Sequence, residues 1–191
     1  MVKTAFFEEI LEIPQDVEVT VDEEHHFVVK GPNGSVSKDF SHIRGIKIYK
    51  EQNNLFFSAH FPKKKTLSLA KTIINIISNL IEGVQTNYTY LCKVCYSHFP
   101  CNVEVKKGEI HVVNFLGERA PRKTKYDDKN VKVEVDGEEV YLIGPDKEAL
   151  GQVAANIKKA CRIRKKDPRV FQDGVYVYKK LLGDKILWQI K

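Results

Sequence analysis

Apolar and polar residues alternate along several short segments of the chain, and this period of two predicts β-strands. The pattern occurs in the first part of the chain and returns in the second, at residues 17–19, 27–31, 46–49 and 55–59 and then at residues 103–105, 110–117, 131–135 and 140–143. Asp136-Gly137 joins the last two segments and predicts a tight hairpin, because a type I′ turn needs residues that accept positive φ. The strands are therefore expected to pair as antiparallel hairpins.

Apolar residues three and four positions apart predict one helix after each set of strands. In the first helix the apolar stripe consists of Leu67, Ala70, Ile74, Ile77, Ile81 and Val84. In the second helix it consists of Leu150, Val153, Ala154, Ile157 and Cys161. We interpret Gly83 as the C-terminal stop of the first helix, Asp146 as the N-cap of the second, and Gly151 as a point of close approach to the sheet.

A repeat indicates that the two sets of elements arose by duplication. Ile13-Pro14-x-x-Val17-Glu18-Val19 returns as Phe99-Pro100-x-x-Val103-Glu104-Val105, 86 residues later, and the following segments keep nearly the same offset. The predicted fold class is α+β, with two tandem duplicated units, each a small antiparallel β-sheet with one helix packed on a face. We place the N-terminal unit at residues 1–84, the C-terminal unit at residues 85–180 and a C-terminal tail at residues 181–191.

The net charge of +6 over 191 residues is concentrated in the second unit. Residues 1–84 carry 10 basic and 11 acidic side chains, whereas residues 85–191 carry 21 and 14, which gives net charges of −1 and +7. A polyanion bound by the second unit would explain this asymmetry, and ordinary solubilising charge is the alternative. Because no segment approaches the roughly 20 apolar residues of a membrane span and Glu8-Glu9 interrupt any signal peptide, no membrane partner is expected.

Residues with catalytic or ligand chemistry form no recognisable active site. Cys92-Lys93-Val94-Cys95 has the spacing of a metal or redox pair, but residues three apart in a strand point to opposite faces, which favours a packing role. A hydrolase that used Cys95 or Cys101 with His98 would require those side chains to converge. We therefore predict no enzyme activity, no catalytic residue, no metal site and no cofactor.

Basic residues cluster at three places that are expected to lie at the surface. They are Lys63-Lys64-Lys65 before the first helix, Arg119, Arg122, Lys123 and Lys125 in a loop between two strands, and Arg162, Arg164, Lys165, Lys166 and Arg169 after the second helix, with Tyr176 beyond. Arginine binds phosphate oxygens through paired hydrogen bonds, lysine adds a point charge, and tyrosine stacks on bases. The three clusters together favour RNA or DNA as the partner over a merely solvated basic surface.

A set of motifs in a fixed order resembles one known family. The motifs are Ile13-Pro14, Val28-Val29-Lys30-Gly31-Pro32-x-Gly34, Tyr96-x-His98-Phe99-Pro100, Asn114-Phe115-Leu116-Gly117-Glu118 and Asp167-x-Arg169-x-Phe171-x-Asp173-Gly174-x-Tyr176-Val177. Over residues 10–178 the chain resembles the sixth family of large-subunit ribosomal proteins in its eukaryotic and archaeal form, which is called the ninth in eukaryotic naming.

The resemblance implies a structural constituent of the large ribosomal subunit, a ribonucleoprotein component that binds ribosomal RNA mainly through its basic C-terminal unit, near the region where translational GTPases dock. It also implies that the start of the second helix, with Lys147, can meet a phosphate. The expected RNA-binding residues are Arg119, Arg122, Lys123, Lys125, Lys147, Arg162, Arg164, Lys165, Lys166, Arg169, Tyr176, Lys63, Lys64 and Lys65.

The implied partners are large-subunit ribosomal RNA and neighbouring ribosomal proteins, and the chain is not expected to form a homo-oligomer. The implied location is the cytoplasmic ribosome, after assembly in the nucleolus if the source is eukaryotic. The tail at residues 181–191 is more apolar than the family pattern and is expected to pack on this protein or on a neighbour. The alternative function is a free RNA-binding regulatory module on the same duplicated scaffold.

Overall fold

The chain forms two compact units, Met1–Thr86 and Asn87–Lys191, in a computed structural model that describes residues 5–22, 24–167 and 169–190. The division falls directly after the first helix. Each unit combines antiparallel strands with one α-helix, which confirms the predicted α+β class.

The first unit contains six strands and one helix within the described residues. They are β1 (Phe6–Glu12), β2 (Glu18–Val21), β3 (His26–Gly31), β4 (Gly34–Asp39), β5 (Lys47–Glu51), β6 (Asn54–His60) and α1 (Lys64–Gln85). The strands form two antiparallel sheets with the orders β1-β6-β5 and β2-β3-β4. The sequence predicted one sheet per unit, because strand pairing between distant segments, such as Phe6 opposite His60, leaves no local signal.

Helix α1 supplies the centre of the core of the first unit. Ile73, Ile77 and Val84 are almost completely buried and belong to one apolar cluster with Phe27 and Phe57. By length and composition alone α1 could cross a membrane, contrary to the expectation that no segment is long enough. Its apolar side chains pack in this core, which accounts for its composition.

Gly83 does not end α1, which corrects the sequence interpretation. The helix continues to Gln85 with Thr86 as its C-cap, and Gly83 is buried within it. The turn between β3 and β4 caps the helix instead. The backbone N–H of Asn33 donates to the Val84 carbonyl at 3.0 Å, and Nδ2 of Asn33 donates to the Gln85 carbonyl at 2.6 Å. These bonds satisfy carbonyls at the end of the helix, so no glycine is needed there.

The second unit contains eight strands, one α-helix and one 3-10 turn in the part of the chain that the structure describes. They are β7 (Tyr88–Cys95), β8 (Asn102–Lys106), β9 (Glu109–Val113), the 3-10 turn (Phe115–Gly117), β10 (Arg122–Lys125), β11 (Lys132–Asp136), β12 (Glu139–Gly144), α2 (Lys147–Ala160), β13 (Gly174–Leu182) and β14 (Lys185–Gln189). The sheet orders are β10-β9-β8 and β11-β12-β7-β13-β14. The predicted hairpin is confirmed, with Asp136 opposite Glu139, but the predicted type I′ turn is wrong. The two loop residues are Gly137 and Glu138, and only Gly137 has positive φ, at 57°.

The second unit repeats the plan of the first and then extends it. The set β7-β12-β11 corresponds to β1-β6-β5, and β8-β9-β10 corresponds to β2-β3-β4. Strand β13 is added on the free side of β7, from Gly174 opposite Cys95 to Leu182 opposite Tyr88. Strand β14 then pairs with β13 and forms the edge of the larger sheet. The duplication therefore gave two related units, of which only the second has the β13–β14 hairpin among the described residues.

Helix α2 packs its predicted stripe into the second core, where Leu150 and Ile157 are at most 1% exposed. Asp146 is the N-cap, as predicted, because Oδ1 accepts a hydrogen bond from the backbone N–H of Glu148 at 2.9 Å. The prediction for Gly151 is wrong, since a Cβ atom at that position would meet nothing within 4 Å. The close approach occurs at Gly144 in β12, where a Cβ would collide with the carbonyl oxygen of Asn130.

The C-terminal tail pairs with this protein through its backbone while its apolar side chains remain exposed. Strand β14 forms a hairpin with β13, with Lys179 opposite Gln189 and Leu182 opposite Lys185. Ile186, Trp188 and other apolar residues of the hairpin stay about half exposed. The tail is thus part of the folded second unit and also presents an apolar surface to solvent.

Candidate nucleic-acid interface

A basic cleft lies beside the C-terminal end of α2. The cleft has a volume of about 560 Å³ and is lined by Leu116, Glu118, Ala160 and five basic residues: Arg122, Lys159, Arg162, Arg164 and Lys166. Five basic side chains and one acidic side chain leave a net charge of +4 on its walls. A concave surface with this charge attracts anions and raises their local concentration.

Arg122 holds the walls of the basic cleft together. Its Nε and Nη2 atoms donate to the two carboxylate oxygens of Glu118 at 2.8 and 2.6 Å. Its Nη1 atom donates to the backbone carbonyls of Ala160 and Arg162 at 3.0 and 2.9 Å. The guanidinium also lies 4.3 Å from the centroid of the Phe115 ring. Arg122 thereby joins strand β10 to the end of α2 and to the segment that follows it.

The hydrogen bonds between Arg122 and Glu118 also fix the charges of this pair. They lower the pKa of the Glu118 carboxyl and raise the pKa of the Arg122 guanidinium. Both groups are therefore charged at neutral pH and neutralise each other. The charge available to a ligand comes from Lys159, Arg162, Arg164 and Lys166, all of which are exposed or lie at the cleft wall.

A strained turn forms one edge of the basic cleft. Asn114 and Leu116 both have positive φ, at 58° and 52°, and Leu116 lines the cleft. This conformation is unfavourable for a bulky side chain such as leucine. Nδ2 of Asn114 donates to the Pro100 carbonyl at 2.9 Å, and Phe115 is buried beneath the Arg122 guanidinium. The surrounding contacts thus hold the backbone in a shape that it would not adopt alone.

The structure brings four of the predicted residues together in the basic cleft: Arg122, Arg162, Arg164 and Lys166. Lys165 and Arg169 are exposed in the same segment but do not line the cleft, and Arg119 is exposed in the loop before β10. Lys63, Lys64 and Lys65 belong to the first unit. The predicted cluster is therefore partly assembled into one concave site and partly spread over the surface around it.

The residues from Arg122 to Lys125 form a strand, which corrects the prediction of a loop. Strand β10 pairs with β9, with Arg122 opposite Val112 and Lys125 opposite Glu109. Lys123 and Lys125 are exposed. A hydrogen bond from His111 lowers the pKa of the Glu109 carboxyl, and the charges of the two lysines lower it further. The alternation that would mark this strand is hidden in the sequence, because its half-buried positions are polar rather than apolar.

Lys147 stands at the start of α2, where its side chain is half-buried. Its ammonium nitrogen lies 5.5 Å from the centroid of the Tyr88 ring. This contact is within the range of cation–π attraction. The first turn of α2 therefore has a lysine packed on an aromatic ring of the same unit, in addition to its Asp146 cap.

Lys159 lines the basic cleft and was missed by sequence reasoning. It lies in the last turn of α2, where a basic residue is commonly explained by the helix dipole. The available signal was its spacing, because Lys159 precedes Arg162 by three residues and the two side chains can share a face near the helix end.

Tyr176 lies in a second, adjoining cleft of different chemistry, which we call the aromatic cleft. It has a volume of about 610 Å³, and its lining includes Ile163, Phe171, Val175 and Tyr176 together with Lys158. Lys159 and Arg162 belong to both clefts. An anion-attracting surface and an apolar, aromatic surface thus share a wall.

Three of the four cysteines are poorly suited to nucleophilic catalysis. All four are free, and Cys92, Cys101 and Cys161 are buried. Burial raises the pKa of Cys92 to about 12 and that of Cys161 to about 11, and it also raises the pKa of Cys101. Thiols with raised pKa values are protonated at neutral pH and are poor nucleophiles. Among the described residues, no three His, Cys, Asp or Glu side chains come together as metal ligands.

The three lysines at the start of α1 should destabilise the free protein. Lys63 is the N-cap residue without a side-chain cap hydrogen bond, and the first turn holds no acidic residue. Replacing Lys63, Lys64 and Lys65 with glutamine should therefore stabilise the first unit, by about 0.3–1 kcal/mol per charge, because the helix N-terminus repels cations. The gain would be measured by thermal unfolding at low salt, and it should shrink at high salt.

The control for this substitution is Lys71→Gln, an exposed position further along the same helix. That variant should unfold within a degree or so of the parent protein, since the dipole effect is confined to the first turn. A triple variant that is no more stable than the parent at low salt would show that the lysines do not oppose the helix.

Comparisons with known proteins identify relatives along almost the whole chain. The family model described as Ribosomal protein L6 matches twice, over residues 13–87 and 99–174, which confirms the duplication. The large ribosomal subunit protein uL6 of Staphylothermus marinus is 41% identical over 180 residues, which cover 93% of this chain and 97% of that protein. The protein of the same name from Methanosphaera stadtmanae is 43% identical over 180 residues, covering 94% and 97%.

Proposed function

The chain belongs to the ribosomal protein L6 family, and from this membership we propose that it binds large-subunit ribosomal RNA mainly through its second unit. Proteins of this family are structural, non-enzymatic components of the large ribosomal subunit, so the motif-based resemblance is confirmed. The chain is accordingly a constituent of the cytoplasmic ribosome. The finer assignment concerns which surface meets the RNA and where on the subunit it does so.

The basic cleft is the observation that carries the proposal. Its four available cations, Lys159, Arg162, Arg164 and Lys166, line one concave surface of the second unit. Arginine and lysine side chains in such an arrangement neutralise successive phosphates of a folded RNA backbone and release bound counterions. Because side chains cannot enter the narrow major groove of A-form RNA, recognition of this kind depends on the shape of the backbone more than on its sequence.

The other predicted residues have supporting roles in this proposal. Arg122 positions the cleft walls, since its hydrogen-bond donors are directed at Glu118 and at two backbone carbonyls. Arg119, Lys123, Lys125, Lys165 and Arg169 extend the positive surface around the cleft. Lys147 and Tyr176 belong to the same unit, and Lys63, Lys64 and Lys65 provide a separate contact from the first unit.

The position on the subunit follows from the family resemblance. The second unit would lie near the sarcin–ricin region of the RNA, close to where translational GTPases dock, and the apolar β13–β14 hairpin would face a neighbouring ribosomal protein. In a eukaryotic source, assembly would begin in the nucleolus. These placements are part of the proposal and are tested together with the RNA contact.

Crosslinking within isolated large subunits tests the proposal. After irradiation with ultraviolet light, peptides of this protein that carry a bound nucleotide are identified by mass spectrometry, and the attached nucleotides are mapped by reverse transcription. We expect most crosslinks between residues 159 and 176, and the mapped nucleotides to fall in or beside the sarcin–ricin region. Crosslinks confined to the first unit, or absence of the protein from large subunits in a sucrose gradient, would overturn the proposed contact.

A further inference from the structure

A contact between the Lys166 ammonium group and the Phe171 ring connects the basic cleft to the aromatic cleft. Lys166 lines the basic cleft, and its ammonium nitrogen lies 4.5 Å from the centroid of the Phe171 ring, which lines the aromatic cleft. Within the lining of the aromatic cleft, the ammonium nitrogen of Lys158 also lies 5.8 Å from the centroid of the Tyr176 ring. Phe171 therefore stands at the border between a charged and an apolar surface.

The lining of the aromatic cleft combines buried and solvent-accessible side chains. Val175 and Cys161 form part of its lining and are at most 4% exposed, whereas Ile163, Phe171 and Tyr176 are only half-buried. The half-buried side chains leave aromatic and aliphatic surface accessible from solvent. Its volume of about 610 Å³ lies within the range of about 300–1,000 Å³ that is usual for pockets that take small ligands.

The charged side chains that line the aromatic cleft are all cations, which determines the kind of ligand that fits. Lys158, Lys159 and Arg162 line it, and the basic cleft adds Arg164 and Lys166 on the other side of the shared wall. A flat, uncharged group with a phosphate on each side would place the flat group against Phe171 and Tyr176 and its phosphates among these cations. An unpaired nucleotide within an RNA strand has this chemistry.

We propose that the aromatic cleft receives the base of one unpaired ribosomal RNA nucleotide, while the adjoining phosphates occupy the basic cleft. This inference rests on the proposed function and assigns the second cleft a ligand of its own. The base stacks on the Phe171 ring and contacts Ile163. The Tyr176 hydroxyl donates to the Asp173 carbonyl at 3.4 Å, so its oxygen remains as an acceptor for an N–H group at the edge of the base.

The alternative occupant is an apolar side chain of a neighbouring protein. Such a side chain would use the aromatic cleft and leave the +4 charge of the basic cleft without a partner. The nucleotide uses both clefts at once, which is why we favour it. The two occupants are separated by the experiment below, because only the nucleotide makes the affinity for isolated RNA depend on Phe171.

The test compares two RNA hairpins taken from the ribosomal segment that crosslinks to this protein and matched in their number of phosphates. One is fully paired and the other carries a single unpaired 2-aminopurine, whose fluorescence is quenched when it stacks. The full-length protein should bind the second hairpin roughly 5- to 150-fold more tightly, the range expected for stacking of one base. Binding should also change the fluorescence of the unpaired base.

Three variants of the full chain complete the test. Phe171→Ala should lose the preference for the unpaired base and keep the affinity for the paired hairpin. Phe171→Leu, which preserves apolar volume and hence folding, should also lose most of the preference, whereas Tyr176→Phe should retain the stacking signal. Circular dichroism and thermal unfolding establish whether each variant is folded. If Phe171→Ala does not fold, the result for Phe171→Leu decides the outcome.

The results distinguish failure of this inference from failure of the proposed function. If the parent protein binds both hairpins equally, or if Phe171→Leu weakens both to the same extent, the base does not enter the aromatic cleft. If Phe171→Leu leaves the RNA preference intact but reduces incorporation into large subunits, a protein side chain is the occupant and the inference is wrong. If the parent protein binds neither hairpin, the proposed RNA-binding function itself fails.

Discussion

Replacing Arg162, Arg164 and Lys166 with glutamine should weaken the binding of this protein to its ribosomal RNA segment on the order of 100-fold at physiological salt, because three charge-assisted contacts to phosphate are lost. These side chains line the basic cleft and are exposed, so their removal should change the free energy of unfolding by no more than about 0.5 kcal/mol. The dependence of log affinity on log salt should become shallower by about 2–3, close to one for each phosphate contact removed. The affinity for RNA and its dependence on salt are both measured by fluorescence anisotropy over a range of salt concentrations.

The matched control removes the same charge from the first unit. Lys30, Lys47 and Lys71 are exposed there and lie outside the predicted RNA contacts, so their replacement by glutamine should leave the salt dependence nearly unchanged. Removing negative charge at Asp22 and Glu24 should likewise have little effect, while Glu23, the acidic residue between them, lies outside the described residues. If the triple variant of the basic cleft and the triple lysine variant of the first unit weaken RNA binding equally, the attraction depends on total charge and not on the cleft.

Gly144→Ala should destabilise the second unit by about 1–3 kcal/mol. Gly144 lies at the end of β12, and an added Cβ atom would collide with the backbone carbonyl of Asn130, with the Val131 Cα close by. Backbone atoms cannot rotate away as a flexible side chain can, so the strand or the adjoining loop must shift. For a unit of this size we expect the unfolding temperature to fall by roughly 5–15 °C, as measured by calorimetry.

Gly151→Ala is the matched control because it is the same substitution in the next element of the same unit. Gly151 lies inside α2, and an added Cβ atom would meet nothing within 4 Å. Alanine is favoured over glycine within a helix, so this variant should be more stable than the parent by about 0.5–1 kcal/mol. Equal effects of the two substitutions would contradict the packing described around Gly144.

The sequence predicted the parts of the fold that depend on local pattern. The two helical stripes, the Asp136-Gly137 hairpin and the duplicated order of elements were all readable, because each depends on residues close together in the chain. Strand β1 was missed because none of its side chains is fully buried and three of its seven residues are glutamates. The division of each unit into two sheets was missed because pairs such as β1 with β6 join distant segments.

The basic residues of the candidate site could be predicted from the sequence, but their arrangement in space and their hydrogen-bond partners could not. Sequence reasoning placed Arg122 among the RNA contacts, whereas its donors bind Glu118 and the carbonyls of two residues near the end of α2. Those partners lie up to 40 residues away, so the role of Arg122 depends on the folded chain. The same limit applies to the aromatic cleft, whose walls come from α2, β13 and the segment between them.

The position of β7 also affects the order in which the chain folds. Strand β7 pairs with β12 on one side and with β13 on the other, and β13 is synthesised later than β12. Cys95 in β7 therefore has no strand partner on the β13 side until Gly174 has been synthesised. In the first unit, by contrast, every described strand partner has been synthesised by the end of β6. Because domains fold as units during synthesis and non-local pairing is slow, we expect the first unit to be native while the second is still incomplete. The surface proposed to bind RNA therefore matures late in translation, and a truncated nascent chain would not yet present it.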